Sequence, residues 1–442
     1  MTEPQIESQP KLTILIVGAY GLIGCGIAQR LAGDGHTIVG LGRDIGTGER
    51  VIPSIRWHAA DLRTLTNAIA WQPFLTGVDA VVNCSGALQD GPDDDLEVVH
   101  HHAVAALAQA CVSAKANLIQ ISAAGVHADA PSPFLASKAR GDAAIQKAGG
   151  HYHIFRPGLV LANHSYGGTT MLRMLAAFPV IHPIAVPNAK VQTIALDDVA
   201  KAVSAAVANK IPRGFVGDLV EAEVHSLRDL VAAMRGWLGF APARYVIETP
   251  LAVMQFVAKA ADGLGKLGWR SPLRSTAVTV LTNGVTGVPA DLSRFGVPPA
   301  KSLHETLASM PAGVEDRMFA RMALVTPVII STLIVFWFLS GVIGFLRMNE
   351  AAQVLNNAGW PSALAVTSVL FWAFVDIAIA AGLAFRRLAK LACWGAIGVS
   401  LFYLAASSVI VPHLWLDPLG PLVKVLPGMA LALVARIALE TR

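Results

Sequence analysis

The 442-residue chain is poor in cysteine and in charge. Its four cysteines, Cys25, Cys84, Cys111 and Cys393, lie far apart and form no C-x-x-C pair. Such spacing argues against a structural zinc site or a disulfide framework and fits a reducing compartment. Only 14% of residues are charged, and the net charge of +4 (34 basic, 30 acidic) is too slight and too scattered for a nucleic-acid partner. Met1 to Pro10 carries neither a basic n-region nor an apolar h-region, so no signal peptide is expected there. The chain has no internal repeat.

What is abundant is apolar sequence, concentrated in the last third. From Met322 to Leu346 no Asp, Glu, Lys or Arg interrupts the chain, and three further apolar stretches follow. A helix needs about 20 apolar residues to cross a bilayer core of ~30 Å. The expected membrane domain is therefore 314–442, with spans 322–346, 362–385, 390–411 and 419–438 forming an all-α four-helix bundle. Arg317 and Arg321 precede the first span. Arg386, Arg387 and Lys390 fill the second turn, and Arg436 and Arg442 close the fourth span. The opposite loops carry little but Arg347 with Glu350, and Asp417. This asymmetry predicts a multi-pass protein of a bacterial inner membrane with its N-terminal domain in the cytoplasm. Asp376 falls inside the second span. An intramembrane carboxylate is costly, and it marks either a site or a helix–helix hydrogen bond. Lys424 is close enough to a helix end to snorkel.

Residues 11–210 read differently. Short β-branched runs (Leu12–Val17, Thr37–Leu41, Ala80–Cys84, Leu118–Ser122, Tyr152–Phe155) alternate with helical stretches such as Gly24–Leu31 and Leu96–Ser113. That alternation predicts an α/β fold, a doubly wound parallel sheet of Rossmann type. Residues 211–313 mix helical pieces (Leu227–Leu238, Leu251–Ala261) with Gly/Pro-rich connections, and are expected to form a substrate-side and linker region. Within them Pro250–Trp269 suits either a membrane interface or packing on its own domain.

Gly18-Ala19-Tyr20-Gly21-Leu22-Ile23-Gly24 follows the first strand and opens a helix. Glycines there let the backbone turn tightly and approach a pyrophosphate, and the helix N-terminus offers free N–H groups. An NAD site usually ends its second strand with an acid that accepts from the ribose 2′-OH. Here Gly42 is followed by Arg43, whose guanidinium suits the 2′-phosphate of NADP. Asp44, next in line, leaves NAD possible.

The G-x-x-G-x-x-G loop is followed, in order, by Ala60-Asp61-Leu62, Asn83-Cys84-Ser85-Gly86, Ile121-Ser122-Ala123-Ala124-Gly125, Phe134-Leu135-Ala136-Ser137-Lys138, Arg156-Pro157-Gly158 and Ile194 to Ala200. The series resembles the extended and atypical short-chain dehydrogenase/reductases over residues 11–210. It is closest in order to the branch holding complex I accessory proteins and their bacterial relatives. The bundle resembles the DoxX-like domains fused to such proteins. The resemblance implies that Gly18, Tyr20, Gly21, Leu22, Ile23 and Gly24 cradle the dinucleotide. It also implies that Asp61 and Leu62 meet the adenine, that Ser85 and Gly86 line the path to the nicotinamide, and that Pro157 lies beside the cofactor.

The catalytic frame departs from that family. Its members use Tyr-x-x-x-Lys, with the phenol exchanging a proton with the substrate oxygen. Here the frame is Phe134-x-x-x-Lys138, and phenylalanine has no proton to give. The usual Ser/Thr partner falls at Ala124, which leaves Ser122 as the available hydroxyl and Lys138 chiefly as a cofactor ligand. His100-His101-His102, three in a row on a helix, cannot all converge on one metal; a solvated face is expected for them, with the alternative that one of the three faces the cofactor cleft. His151 and His153 read as an exposed edge, and Asp197 and Asp198 as a structural acidic pair. The expected function is a membrane-tethered NADP-binding oxidoreductase acting on an apolar, membrane-resident substrate such as a quinone, an isoprenoid or a lipid. The alternative is a non-catalytic dinucleotide-binding scaffold for a membrane protein complex.

Overall fold

The computed structural model describes residues 10–91, 94–269, 271, 273–418 and 420–440. Most of the N-terminal polar stretch, and Arg442, lie outside the described residues. Contacts divide the chain into two compact units. One holds residues up to Asp262 together with Ser271–Arg317, and the other holds Gly263–Arg270 with Met318–Arg442.

The first unit is built on a seven-stranded, all-parallel sheet. In chain order its strands are β1 (Thr13–Val17), β2 (Thr37–Gly42), β3 (Arg56–Ala59), β4 (Ala80–Asn83), β5 (Asn117–Ile121), β6 (Tyr152–Pro157) and β7 (Phe215–Leu219). Across the sheet they run β7-β6-β5-β4-β1-β2-β3, so strand order reverses between β1 and β4. The last strand, β7, lies past residue 210. The interior strands are continuous apolar runs because helices cover both faces. Side chains alternate across them: Ile14 and Ile16 enter one core with Ile27, Leu31, Phe155 and Val203. Leu15 and Val17 enter the other with Trp71, Leu107, Ile145 and Ile154. Each such fully buried side chain stabilises the unit by roughly 1.5–3 kcal/mol.

Four helices position the site: α1 (Leu22–Gly33), α2 (Ile45–Val51), α3 (Ala103–Ala114) and α4 (Pro133–Ala148). Asp44 caps α2 by accepting from the Thr47 amide and hydroxyl. Pro133 opens α4, where its missing N–H costs nothing. Helix α3 is preceded by a π-helical turn, Val98–His102.

The second unit holds α5 (Val314–Leu346) from Met318 onward, α6 (Met348–Asn357), α7 (Ser362–Ala384), α8 (Arg386–Ile410) and α9 (Val425–Ala438). Three of them, α5, α7 and α8, are long and apolar enough to cross a membrane. Among the described residues, the expected fourth span, 419–438, contains the 14-residue α9 as its helix. At 1.5 Å per residue that helix is about 21 Å long, short of a ~30 Å core. Residues 421–424 form turns instead. The unit's core pairs Leu333, Trp337 and Leu383 with small residues, Ala389, Ala396, Ala432 and Ala435, that let the backbones approach. The Trp269 indole donates to the Ala384 carbonyl at 2.7 Å, which ties residues 263–269 to the α7–α8 turn.

Candidate functional site

The site forms at the strand-order reversal, where a doubly wound sheet opens a crevice beyond its strand ends. Gly18 has φ +75°, and a Cβ there would lie 3.1 Å from the Ser85 backbone after β4. A Cβ on Gly24 would come within 2.3 Å of the Gly18 carbonyl oxygen, so only glycine lets α1 pack this close to β1. The turn is fixed by Gly18 N–H donating to Leu41 O and Gly21 N–H to Gly18 O. No side chain caps α1 at Gly21. The first amides of the helix, at Leu22, Ile23 and Gly24, therefore face outward as an anion-binding end. This cradle fits a dinucleotide pyrophosphate.

At the ribose end, the Tyr20 ring lies across Gly42 and 5.9 Å from the Trp57 ring. Arg43 stands at the end of β2, as the sequence predicts, and pairs with Asp94 at 2.9 Å. Asp44, the alternative ribose acceptor, gives both carboxylate oxygens to Thr47. Asp61 accepts from the Arg63 amide and guanidinium, and these hydrogen bonds hold its carboxyl below the usual range. Leu62 and Ser85 line one small recess with Asn83 and Val99.

At the other end sits Lys138, 6% exposed on α4. Its Nζ donates to the Ile121 carbonyl at 3.2 Å and lies 5.6 Å from the centre of the Phe134 ring. Burial lowers the Lys138 pKa, against the opposing pull of Asp142. Gly86 comes within reach of both Lys138 and His100. Thus Gly18, Ser85, Gly86 and Lys138 converge. Pro157, at the buried end of β6, joins through its carbonyl, which accepts from the Ala124 amide.

Ser122 is buried and hydrogen-bonded within the chain. It donates to Asp142 Oδ2 at 2.9 Å, and Arg156 donates to the same oxygen at 3.0 Å. Burial raises the Asp142 carboxyl despite both partners, and its second oxygen has no hydrogen-bond partner among the described residues. The other nearby hydroxyls are equally committed. Ser85 donates to Asn83 Oδ1, and Ser137 donates to the Phe134 carbonyl.

Of the histidine triplet, His100 departs from the solvated face and takes the alternative of turning toward the cleft. It is 2% exposed, not solvated, because the π-turn rotates it inward between the β4 loop and α4. Its Nε2 accepts from the Ala87 amide at 3.1 Å, so Nδ1 carries the proton toward Ser137 Oγ at 2.9 Å. Burial, and then Lys138, keep the ring neutral, with its pKa well below the ordinary value. His100 thereby positions the loop bearing Ser85 and Gly86; its sequence signal was only its place after β4. The neighbouring group Glu97, His101 and His102 is close enough to hold a metal. There, however, Glu97 already takes both Arg140 and His101. His153 is fully buried, not on an exposed edge, because β7 adds beyond β6; it bonds Asn117 and the Ile211 carbonyl. Asp197 and Asp198 hold Lys301 through its side chain and amide.

Residues 14–227 match the model of the NAD dependent epimerase/dehydratase family, and residues 334–433 match that of the DoxX-like family. Among solved structures, MoeE5 in complex with UDP-glucose and NAD is similar: 15% identical, TM-score 0.51, covering 71% of this chain and 99% of that one. UDP-glucuronic acid 4-epimerase from Bacillus cereus in complex with NAD is 16% identical with TM-score 0.50, covering 71% of this chain and 100% of its own. At such identity the likeness is one of fold. No curated protein matches the chain. The protein therefore joins a domain of the NAD dependent epimerase/dehydratase family, within the short-chain dehydrogenase/reductases, to a C-terminal DoxX-like domain.

Proposed function

We propose that the N-terminal unit binds a nicotinamide dinucleotide and retains it without the tyrosine-dependent proton chemistry of its family. The nucleotide would serve as a structural or sensing ligand for a membrane-tethered protein. One observation carries this: around Lys138, every position that supplies a free hydroxyl in a working reductase is either apolar or committed. Phe134 has none, Ser122 is turned to Asp142, and Ser137 and Ser85 are bonded internally. When bound, the nicotinamide would bring hydride chemistry. The chain's own part is to receive the pyrophosphate on Gly18, Gly21 and the first amides of α1, and the ribose on Lys138. Arg43 would exchange Asp94 for a 2′-phosphate, which makes NADP the favoured form and NAD the alternative. The basic turn at Arg386, Arg387 and Lys390 supports a cytoplasmic N-terminal unit on a bacterial inner membrane. The resemblance to accessory subunits supports a membrane complex as partner. A ligand that binds only the folded state at 100 times its Kd stabilises it by about 2.7 kcal/mol. Thermal melts with NADPH and NADH, beside a turnover assay, test this; a shift without turnover supports it, and no shift with either sinks it.

The second reading is hydride transfer to an apolar, membrane-resident acceptor such as a quinone, an isoprenoid or a lipid. It draws on Tyr166, 60% exposed beyond β6, as an alternative proton source. NADPH consumption with a quinone, lost in Tyr166→Phe, would favour it.

A further inference from the structure

A cavity in the second unit, partly open and lined by residues of α5, α7 and α8, measures about 340 Å³. It falls within the usual range for a small-ligand site, ~300–1,000 Å³. Its polar centre is Asp376 on α7, 4% exposed. Ser340 of α5 donates to one carboxylate oxygen at 2.6 Å, and Tyr403 of α8 donates to the other at 3.0 Å. Around them stand aromatic walls: Trp372 stacks on Phe402 at 4.5 Å and meets Tyr403 edge-on, and Trp360 lines the α6–α7 side.

Three features of this arrangement point the same way. No Lys, Arg or His is among the residues lining the cavity, so the protein supplies the carboxylate with no positive partner there. A charged group away from water needs one. With the carboxyl ionised, the two nearest hydroxyls spend their protons on it, and the cluster then offers the cavity lone pairs only: one more on each carboxylate oxygen and those of the hydroxyls. A ligand that meets it must therefore bring donors. Aromatic faces attract a cation and accept an apolar body alongside it. A quinone, whose carbonyls only accept, matches the ionised cluster poorly.

We propose that the cavity around Asp376 is a binding site for a lipophilic organic ammonium, with the cationic head on the carboxylate and the apolar tail along Trp372 and Phe402. The site is independent of the dinucleotide reading. Its test uses the full-length protein in lipid nanodiscs, with 4-phenylbutylammonium as probe, 4-phenylbutanol as the uncharged counterpart, and empty nanodiscs to subtract partitioning. Tryptophan fluorescence should report saturable binding of the ammonium. Binding should be at least about tenfold weaker for the alcohol and for Asp376→Asn, as expected when a charge-assisted contact is lost. If Asp376→Asn does not fold, the comparison of ammonium with alcohol in the unaltered protein decides. Equal affinity for the two, no saturable binding of the ammonium, or decylubiquinone binding that the ammonium fails to displace would overturn the proposal.

Discussion

At residue 134 a phenyl ring stands where the family resemblance implies a phenol, while Lys138, one turn on, donates to the Ile121 carbonyl. On the proposed function, the two residues separate holding a nucleotide from reacting with it. Phe134→Tyr should create slow NADPH-dependent reduction of a carbonyl substrate where the native chain has none. Lys138→Ala should weaken dinucleotide binding by about tenfold or more, the scale of a lost charge-assisted hydrogen bond. Stopped-flow absorbance and calorimetry respectively check the two outcomes. Gly24→Ala sets a methyl against the Gly18 carbonyl, and should cost about 1–3 kcal/mol by urea unfolding as well as the affinity for the nucleotide. These residues were legible in the sequence because the glycine loop and the Phe134–Lys138 frame are local. Which of the three histidines turns inward was not, since the partners of His100, Ala87 and Ser137, lie 13 and 37 residues away. Nor was the Ser122–Asp142–Arg156 cluster, which exists only once β5, α4 and β6 are adjacent.

Elements show the same boundary between local and assembled information. Alternating apolar runs placed five of the sheet's strands to within a residue or two. The seventh strand, Phe215–Leu219, carries Gly217 and Asp218 and gains its identity from pairing with β6. That pairing is what buries His153. Hydropathy likewise counts residues without knowing where a helix starts, so it ran the fourth span through the turns at 421–424. The orientation of the three long helices is open to direct test. In a background with the native cysteines replaced by serine, Glu350→Cys should react with a membrane-impermeant maleimide in intact cells. Arg387→Cys and Lys390→Cys should react only after permeabilisation. The reverse pattern would place the N-terminal unit on the other side.

Over the whole molecule, acid sensitivity follows from histidines the fold keeps neutral. Burial lowers His151 to about 4 from an ordinary 6.5, and it also lowers His100, His153 and His182. Below about pH 6.5 the unfolded chain binds protons that the folded N-terminal unit refuses, so stability present above that pH is lost progressively toward pH 4. Asp142, raised by burial, takes its proton earlier in the folded state and offsets part of the loss. Thermal melts across this range should show a falling Tm, with the steepest loss shifted in a His153→Asn variant. The central claim concerns the nucleotide itself, and it is tested by titrating NADPH into the purified full-length protein while heat and reduced-nicotinamide absorbance are recorded together, with a quinone present. The account predicts saturable binding with no loss of absorbance; absence of binding for both NADPH and NADH, or steady consumption of the bound nucleotide, would contradict it.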